Sequence, residues 1–257
     1  MQLKAQYHAF TTILIKEFMR FIRIWVQTVL PAGITMALYF IIFGNLIGSQ
    51  LADVHGQHYI DYIVPGIILM AVINNSYANV VSSFFSAKFQ RHVEEMLVSP
   101  MPNYLILSGF VAGGVARGLV VGTVVTIVAS FFVDLHFYSL GLTVLVLFMT
   151  ATLFALAGFI NAVYAKTFDD ISIIPTFVLT PLTYLGGVFY SIDMLPRFWQ
   201  SLSLGNPILY MVNAMRYGML GVADINVVTA VTIILSFVVG LFLFALWLLN
   251  QGIGVRS

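Results

Sequence analysis

Asp53, His55, His58 and Asp61 lie within one short stretch and carry metal-binding chemistry: two imidazoles three residues apart, flanked by carboxylates. The stretch is a polar connection between two apolar runs, where such residues usually only solvate a loop, so no metal site is expected there. Asp169 and Asp170 stand side by side just ahead of another apolar run. The N-terminal dipole of a helix favours carboxylates at that position, and the pair reads as a helix cap, not as an acid–base dyad. Asn206-Pro207-Ile208 matches one half of a paired water-channel signature, and the second half is missing. Asn74-Asn75-Ser76 fits a glycosylation pattern but falls inside an apolar run. No lysine follows a glycine-rich phosphate loop, and neither HExxH nor GxSxG occurs. With no cysteine, thiolate ligands and thiol nucleophiles are excluded. The chain is therefore expected to bind no ATP or other cofactor, to hold no metal and to have no catalytic residue.

One ionisable residue does lie deep in an apolar run. Arg117, in GGVARGLVVG, sits about 20 Å along its helix axis. An unpaired cation at that depth is costly, so such residues face a bundle interior and pair. No Asp or Glu lies at a comparable depth. Asn74, Asn75, Asn79, Asn161 and proline-freed carbonyls are the available partners. Arg117 reads either as a contact for an anionic or polar cargo or as a structural hydrogen-bond hub. Gly113, Gly114 and Gly118 beside it let another helix approach closely.

The elements that position these residues follow from composition. Of 257 residues, 60% are hydrophobic and only 8% charged. A soluble domain carries about 25% charged residues. The chain is thus an all-α polytopic membrane protein, and disorder is excluded. A net charge of +1 argues against nucleic-acid binding. Runs long enough to span are expected at roughly 24–47, 62–85, 104–132, 139–164, 171–191 and 226–250, six in all within a single domain 1–257. Residues 1–23 lack the compact apolar core of a cleavable signal. Tyr7, Phe10, Leu14, Phe18, Phe21 and Trp25 recur there at helical spacing, opposite Lys4, His8, Thr12, Lys16 and Arg20, which predicts an amphipathic helix lying at the membrane interface. Eight lysines and arginines (Lys4, Lys16, Arg20, Arg23, Lys88, Arg91, Lys166 and Arg256) fall on one side of this topology, and only Arg197 and Arg216 on the other. Both termini are therefore expected in the cytoplasm.

Two further segments are not plain spans. In 86–103, Lys88, Arg91, His92, Glu94 and Glu95 accompany an apolar stripe of Phe89, Val93, Met96 and Leu97, and Pro100 and Pro102 end the segment. The pattern predicts a short amphipathic helix over 86–99, with Lys88 and Arg91 at i,i+3 and the oppositely charged Arg91 and Glu95 at i,i+4. Its stripe is buried either on the membrane or on a cytoplasmic partner. Segment 190–224 is too long for a loop, and Pro196 and Gly205-Asn206-Pro207 divide it. The pieces read as re-entrant or interfacial outer helices, with Trp199, Tyr210 and Tyr217 as anchors and Arg216 near the outer boundary.

Leu179, Leu182, Leu185, Gly186, Val188, Leu195, Pro196, Pro207, Ile208, Tyr210 and Arg216 form a long composite pattern in order and spacing. On it, the chain resembles the permease subunit of type-2 ATP-binding-cassette exporters. The stretches FGNLIG, SSFFSAKFQR, AKTFDDIS and PTFVLTPLTYLGGVFYS resemble a bacterial inner-membrane permease of that kind over nearly the whole chain. The resemblance implies a homodimeric path in the bacterial inner membrane. Two copies of a separate cytoplasmic ABC ATPase would carry the ATP and Mg. It implies a coupling helix around Phe89, Arg91, Glu94, Glu95 and Leu97. It also implies outward movement of an unknown hydrophobic or amphiphilic substrate. By analogy the first and fifth spans would meet in the dimer, with Thr180, Thr183, Gly186 and Gly187 permitting close approach. Phe40, Asn45, Thr180, Tyr184 and Phe189 are candidates to line the path. A self-sufficient channel or secondary transporter is the alternative, and a membrane-embedded enzyme a more distant one.

Overall fold

The structure, a computed structural model, describes residues 3–47, 54 and 56–254, and within them the side chains of 3, 5 and 45–47 lie outside the description. Asp53 and His55 therefore fall outside the described residues. Among the described residues the regular structure is helical, apart from an isolated bridge between Val54 and Gln57. In order come α1 (Leu3–Arg23), α2 (Trp25–Tyr39, continuing as a π-helical stretch Phe40–Ile47), α3 (Tyr59–Phe89), α4 (His92–Val98) and α5 (Asn103–Ala129). Next are α6 (Leu140–Tyr164), α7 (Asp170–Ile174), a π-helical stretch Pro175–Leu179 and α8 (Thr180–Leu185). The chain ends with α9 (Arg197–Ser203), α10 (Pro207–Leu220) and α11 (Val227–Gln251).

Five of these are long and apolar enough to cross a membrane: Trp25–Gly44, Tyr59–Phe89, Asn103–Ala129, Leu140–Tyr164 and Val227–Gln251. The expected span over 171–191 is a shorter apolar helix, Asp170–Leu185. At about 1.5 Å per residue it covers roughly 24 Å, less than the ~30 Å hydrocarbon core. Two prolines shape it. Pro181 has no N–H to give the carbonyl four residues back, and the turn ahead of it widens to π geometry over Pro175–Leu179. Thr180 then donates its hydroxyl to the Pro175 carbonyl at 2.9 Å. Gly186 ends the helix, and Gly187 at φ +72° turns the chain away.

Helix α3 is the axis of the bundle, with α5 and α6 packed along it. Small residues set those distances. A Cβ on Gly158 of α6 would lie 2.6 Å from the Tyr77 carbonyl, and one on Gly114 of α5 would lie 3.0 Å from the Ser76 carbonyl. Helix α1 lies on α5 and presents a different face from the expected stripe. Ile13, Glu17 and Phe21 are buried, with Ile13 against Gly109 and Glu17 against Gly113, while Tyr7, Phe18 and Trp25 are exposed. The expected 86–99 helix is also redrawn. Residues 86–89 complete α3, Arg91 turns the chain in the left-handed region at φ 62°, and α4 starts at His92. Lys88, Arg91 and Glu95 therefore do not share one helix, and the ion-pair ladder expected along it has no common register.

Candidate transport path and coupling face

Between Asn74 and Ser86 the less buried residues of α3 recur every four positions on one side, and all but Ala78 are polar. Asn74 is exposed, and Asn75, Ala78, Ser82 and Ser86 are half-buried. Asn74 stands about 23 Å along the axis from Tyr59, near the middle of the helix. Lipid tails offer an amide no partner, so an exposed asparagine at this depth suits a face covered by protein or water. Arg117 reaches this strip from α5. Its Nε and Nη2 donate to Asn75 Oδ1 at 3.3 and 3.1 Å, and Asn75 is oriented by donating from Nδ2 to the Ala71 carbonyl at 3.0 Å. Asn75 is thus the partner among the asparagines the sequence offered. Asn161 instead donates to the Tyr77 hydroxyl, 2.7 Å away, and Asn79 serves a second arginine.

That second arginine is Arg20 of α1. Its Nη2 donates to the Asn79 carbonyl and to Asn79 Oδ1, each at 2.8 Å, and its Nε lies 3.4 Å from Glu17 Oε2. Glu17 is fully buried, and its Oε1 accepts from Ser83 at 2.6 Å. The expected basic face of α1 is therefore split: Arg20 turns into the bundle. Glu17 escaped the reading of the sequence because it belongs to neither stripe. Its place one turn after Ile13 and one turn before Phe21 is the signal that marks it as inward-facing.

At the Tyr59 end of the bundle, aromatic rings from α2 and the α8 exit meet. Phe189 packs on Phe43 (4.9 Å between centroids), Tyr39 (5.8 Å) and Tyr184 (6.0 Å). Tyr184, Phe189 and the exposed Thr180 thus share one side of the chain. Phe40 does not join them: it is fully buried against Phe132, and Tyr39 and Phe43 take the place expected of it. The Asn45 side chain lies outside the described residues. Thr183 and Gly186 are also turned inward, Thr183 donating to the Leu179 carbonyl and Gly186 packing on Ile208. Thr180 and Tyr184, by contrast, are exposed.

The same end carries a buried lock. Arg216, expected near the boundary, is 1% exposed, with its guanidinium 3.8 Å from the Tyr62 ring centroid. Nη2 donates to the Gly187 carbonyl at 2.8 Å, and Nη1 lies 3.7 Å from Asp224 Oδ2. Asp224 Oδ2 also accepts from Ser191 at 3.1 Å, and its backbone N–H donates to Asn213 Oδ1 at 2.8 Å. The lock joins α3, the α8 exit, α10 and the connection to α11. Asp224 was legible as the isolated acid nearest Arg216 and was overlooked. The prolines beside it shape the backbone: Pro196 precedes α9, and Pro207 is the first residue of α10, capped by Asn206 Oδ1 accepting from the Ile208 N–H at 3.0 Å. The channel-like tripeptide is a helix cap. Tyr210 donates to the Leu204 carbonyl at 2.6 Å, tying α10 to the end of α9.

At the opposite end, Lys88 closes α3 onto α6. Its Nζ donates to the carbonyls of Val163 (2.6 Å), Ala165 (2.7 Å) and Ala162 (3.3 Å), filling orphan acceptors at the C-terminus of α6. Phe168 packs on Phe85 and Phe89 at 4.9 and 5.2 Å. In α4, Val93 is fully buried, Leu97 and Glu94 are half-buried, and Glu95 and Val98 are exposed, as is Arg91 ahead of it. Phe89 is 64% exposed, beside a hollow of about 520 Å³ lined by Phe85, Lys88, Arg91, Glu94 and Lys166. Nearby, Asp170 Oδ2 accepts from the N–H groups of Lys166 and Thr167, ahead of α7, while Asp169 makes no side-chain capping bond to α7. No cluster of three or more metal-ligating side chains occurs among the described residues.

Comparison with known proteins agrees with this arrangement. The family model described as ABC-2 type transporter matches residues 8–220. The chain is 57% identical over 249 residues, 97% of each chain, to the inner membrane transport permease YadH of Escherichia coli K12. It is 25% identical over 215 residues, 83% of each chain, to nodulation protein J of Rhizobium leguminosarum bv. viciae. With five helices fit to cross a membrane and a family match over most of its length, the chain belongs to the ABC-2 type transporter family and is a multi-pass transport permease.

Proposed function

We propose that the chain is the membrane subunit of an ATP-driven exporter, and that two copies form the path between them. Asp170–Leu185, continued through Tyr190, serves as the short sixth crossing. Helices α9 and α10 lie as re-entrant elements on the outer side, and α1 lies at the cytoplasmic interface with Tyr7, Phe18 and Trp25 toward lipid. Both termini are cytoplasmic, and the relative named as an inner membrane permease supports the bacterial inner membrane. The faces of the path are the α3 strip of Asn74, Asn75 and Ser82 and the open side of α2 and α7–α8 with Tyr39, Thr180, Tyr184 and Phe189. The dimer meets along α2 and α8. Helix α4 with Phe89, Arg91, Glu94, Glu95 and Leu97 is the docking element for two copies of a cytoplasmic ABC ATPase. ATP and Mg bind on those partners, none on this chain, and the cargo is hydrophobic or amphiphilic.

The observation that carries the reading is the join at the Lys88 end. Helix α3 is tied to α6 by three carbonyl contacts, while its last residue Phe89, the turn at Arg91 and Glu94 of α4 line a hollow. A partner gripping α4 displaces the helix that bears the polar strip. Cross-linking in membranes followed by mild-detergent purification tests this: the tagged chain brings down an ATPase with a phosphate-binding loop in about equal amount. Purified chain alone in proteoliposomes, passing solute without nucleotide, would move the assignment to a self-sufficient channel or carrier.

A further inference from the structure

Along the proposed path, Arg117 is a cation with no counter-charge among the described residues. Arg20 has Glu17 beside it, and Arg216 has Asp224. Arg117 has neither: among the described residues no carboxylate lies within ion-pair distance, and two of its nitrogens share a single neutral acceptor, Asn75 Oδ1. Its Nη1 makes no hydrogen bond among the described residues. Arg117 is only 9% exposed, about 21 Å from the Asn103 start of α5 and so at mid-helix depth. Burying a cation without a counter-charge is costly, and a purely structural donor to Asn75 needs no positive charge. The group meets Asn75, and the residue before it in α3 is Asn74, the exposed amide of the same strip.

We propose that Arg117, with Asn74 and Asn75, is the cargo-recognition site for an anionic headgroup, so that the substrate class is an amphiphile bearing a carboxylate, sulfate or phosphate. This rests on the path reading above. The guanidinium supplies the counter-charge and a directed donor in Nη1, and Asn74 supplies a neutral donor. The aromatic side of α2 and α8 takes the apolar part of the same molecule. A cation of the same chain length gains nothing from this site and is repelled by it.

The chain has no cysteine, so a single introduced thiol reports alone. Asn74→Cys in native membranes is treated with two membrane-impermeant methanethiosulfonates, one sulfonated and one quaternary ammonium, and the ratio of their labelling rates is recorded. The ratio of anionic to cationic labelling is expected to fall about tenfold when Arg117→Gln is added, the effect of removing one charge interaction of roughly 1.4 kcal/mol. Asn75→Asp, which keeps the acceptor and hands Arg117 a carboxylate, is expected to lower it similarly without disturbing the fold. Arg117→Lys is expected to preserve it. Decyl phosphate should protect the thiol, and decyl maltoside and decyltrimethylammonium should not. Absence of labelling by either reagent would overturn the path reading itself. Labelling whose charge ratio ignores all three substitutions, or equal protection by the three amphiphiles, would leave the path standing and refute the anion site.

Discussion

Removing the carboxylate of Asp224 isolates the most deeply buried cation among the described residues. Arg216 is 1% exposed, and its Nη1 lies 3.7 Å from Asp224 Oδ2. Stripping one partner from a buried pair costs about 3–5 kcal/mol, because the survivor stays desolvated. Two features place Asp224→Ala at the lower end. The pair is longer than a tight charge-assisted bond, and Arg216 keeps its bond to the Gly187 carbonyl at 2.8 Å and its stacking on Tyr62 at 3.8 Å. Against that, Ser191 loses its acceptor. The expected loss is about 3 kcal/mol for Asp224→Ala and about 1–2 kcal/mol for Asp224→Asn, which retains an acceptor oxygen. Equilibrium unfolding in mixed micelles, followed through tryptophan emission, measures both. Combining Asp224→Ala with Arg216→Met should recover part of the loss, because the stranded charge is gone, with a coupling energy of at least about 1.5 kcal/mol. A change below about 0.5 kcal/mol for Asp224→Ala, or strict additivity in the double variant, would refute the assignment of this pair as the lock of the outer segment.

Three other outcomes are expected. Glu94→Lys with Glu95→Lys leaves insertion and dimerisation intact but lowers stimulation of the partner ATPase about tenfold, read as nucleotide hydrolysis by the reconstituted complex; unchanged stimulation removes α4 as the docking element. Lys88→Met strands three carbonyls of α6 and lowers stability by roughly 2 kcal/mol in the same unfolding assay. Gly158→Ala forces a methyl to 2.6 Å from the Tyr77 carbonyl, a backbone atom that cannot rotate aside. It should cost about 1–3 kcal/mol, whereas Gly141→Ala, with nothing within 4 Å, costs little.

The long spans were legible because each carries an apolar run that only a membrane or a core can hold. Trp25–Gly44 and Val227–Gln251 are examples, and their ends fell within a few residues. The short Asp170–Leu185 helix was overdrawn because hydropathy continues through Gly186 and Val188, while the stop is conformational: Gly187 has positive φ. Arg117 was identified from depth alone, and Asn75 was among its named partners. The charged partners Glu17–Arg20 and Arg216–Asp224 divide by spacing. The first is local, i and i+3, yet its inward turn depends on Gly113 of α5, ninety and more residues away. The second needs the loop after α10 folded back, which no periodicity encodes. Arg91 shows the same limit from the other direction. Its side-chain spacing fits a continuous helix, and a single left-handed backbone position breaks it.

Helix α3 holds both ends of the machine on one piece of backbone. Tyr62 touches the arginine lock, and Lys88 grips α6 beside α4. The two positions are about 39 Å apart along the axis. As a lever of that length, α3 turns a tilt of about 5° at α4 into a sideways travel of roughly 3 Å at the lock, enough to part a guanidinium from a carbonyl held at hydrogen-bond distance. Between Lys88 and Tyr62 the stroke runs along one helix, and the turn at Gln90–Arg91 is the joint that passes it on from α4. The one compliant point is Pro65, a turn below Tyr62, where the ring removes a helical hydrogen bond. If a partner docks on α4 as proposed, such a lever would bend next to the lock, and Pro65→Ala would carry more of the stroke to it instead of absorbing some in the shaft.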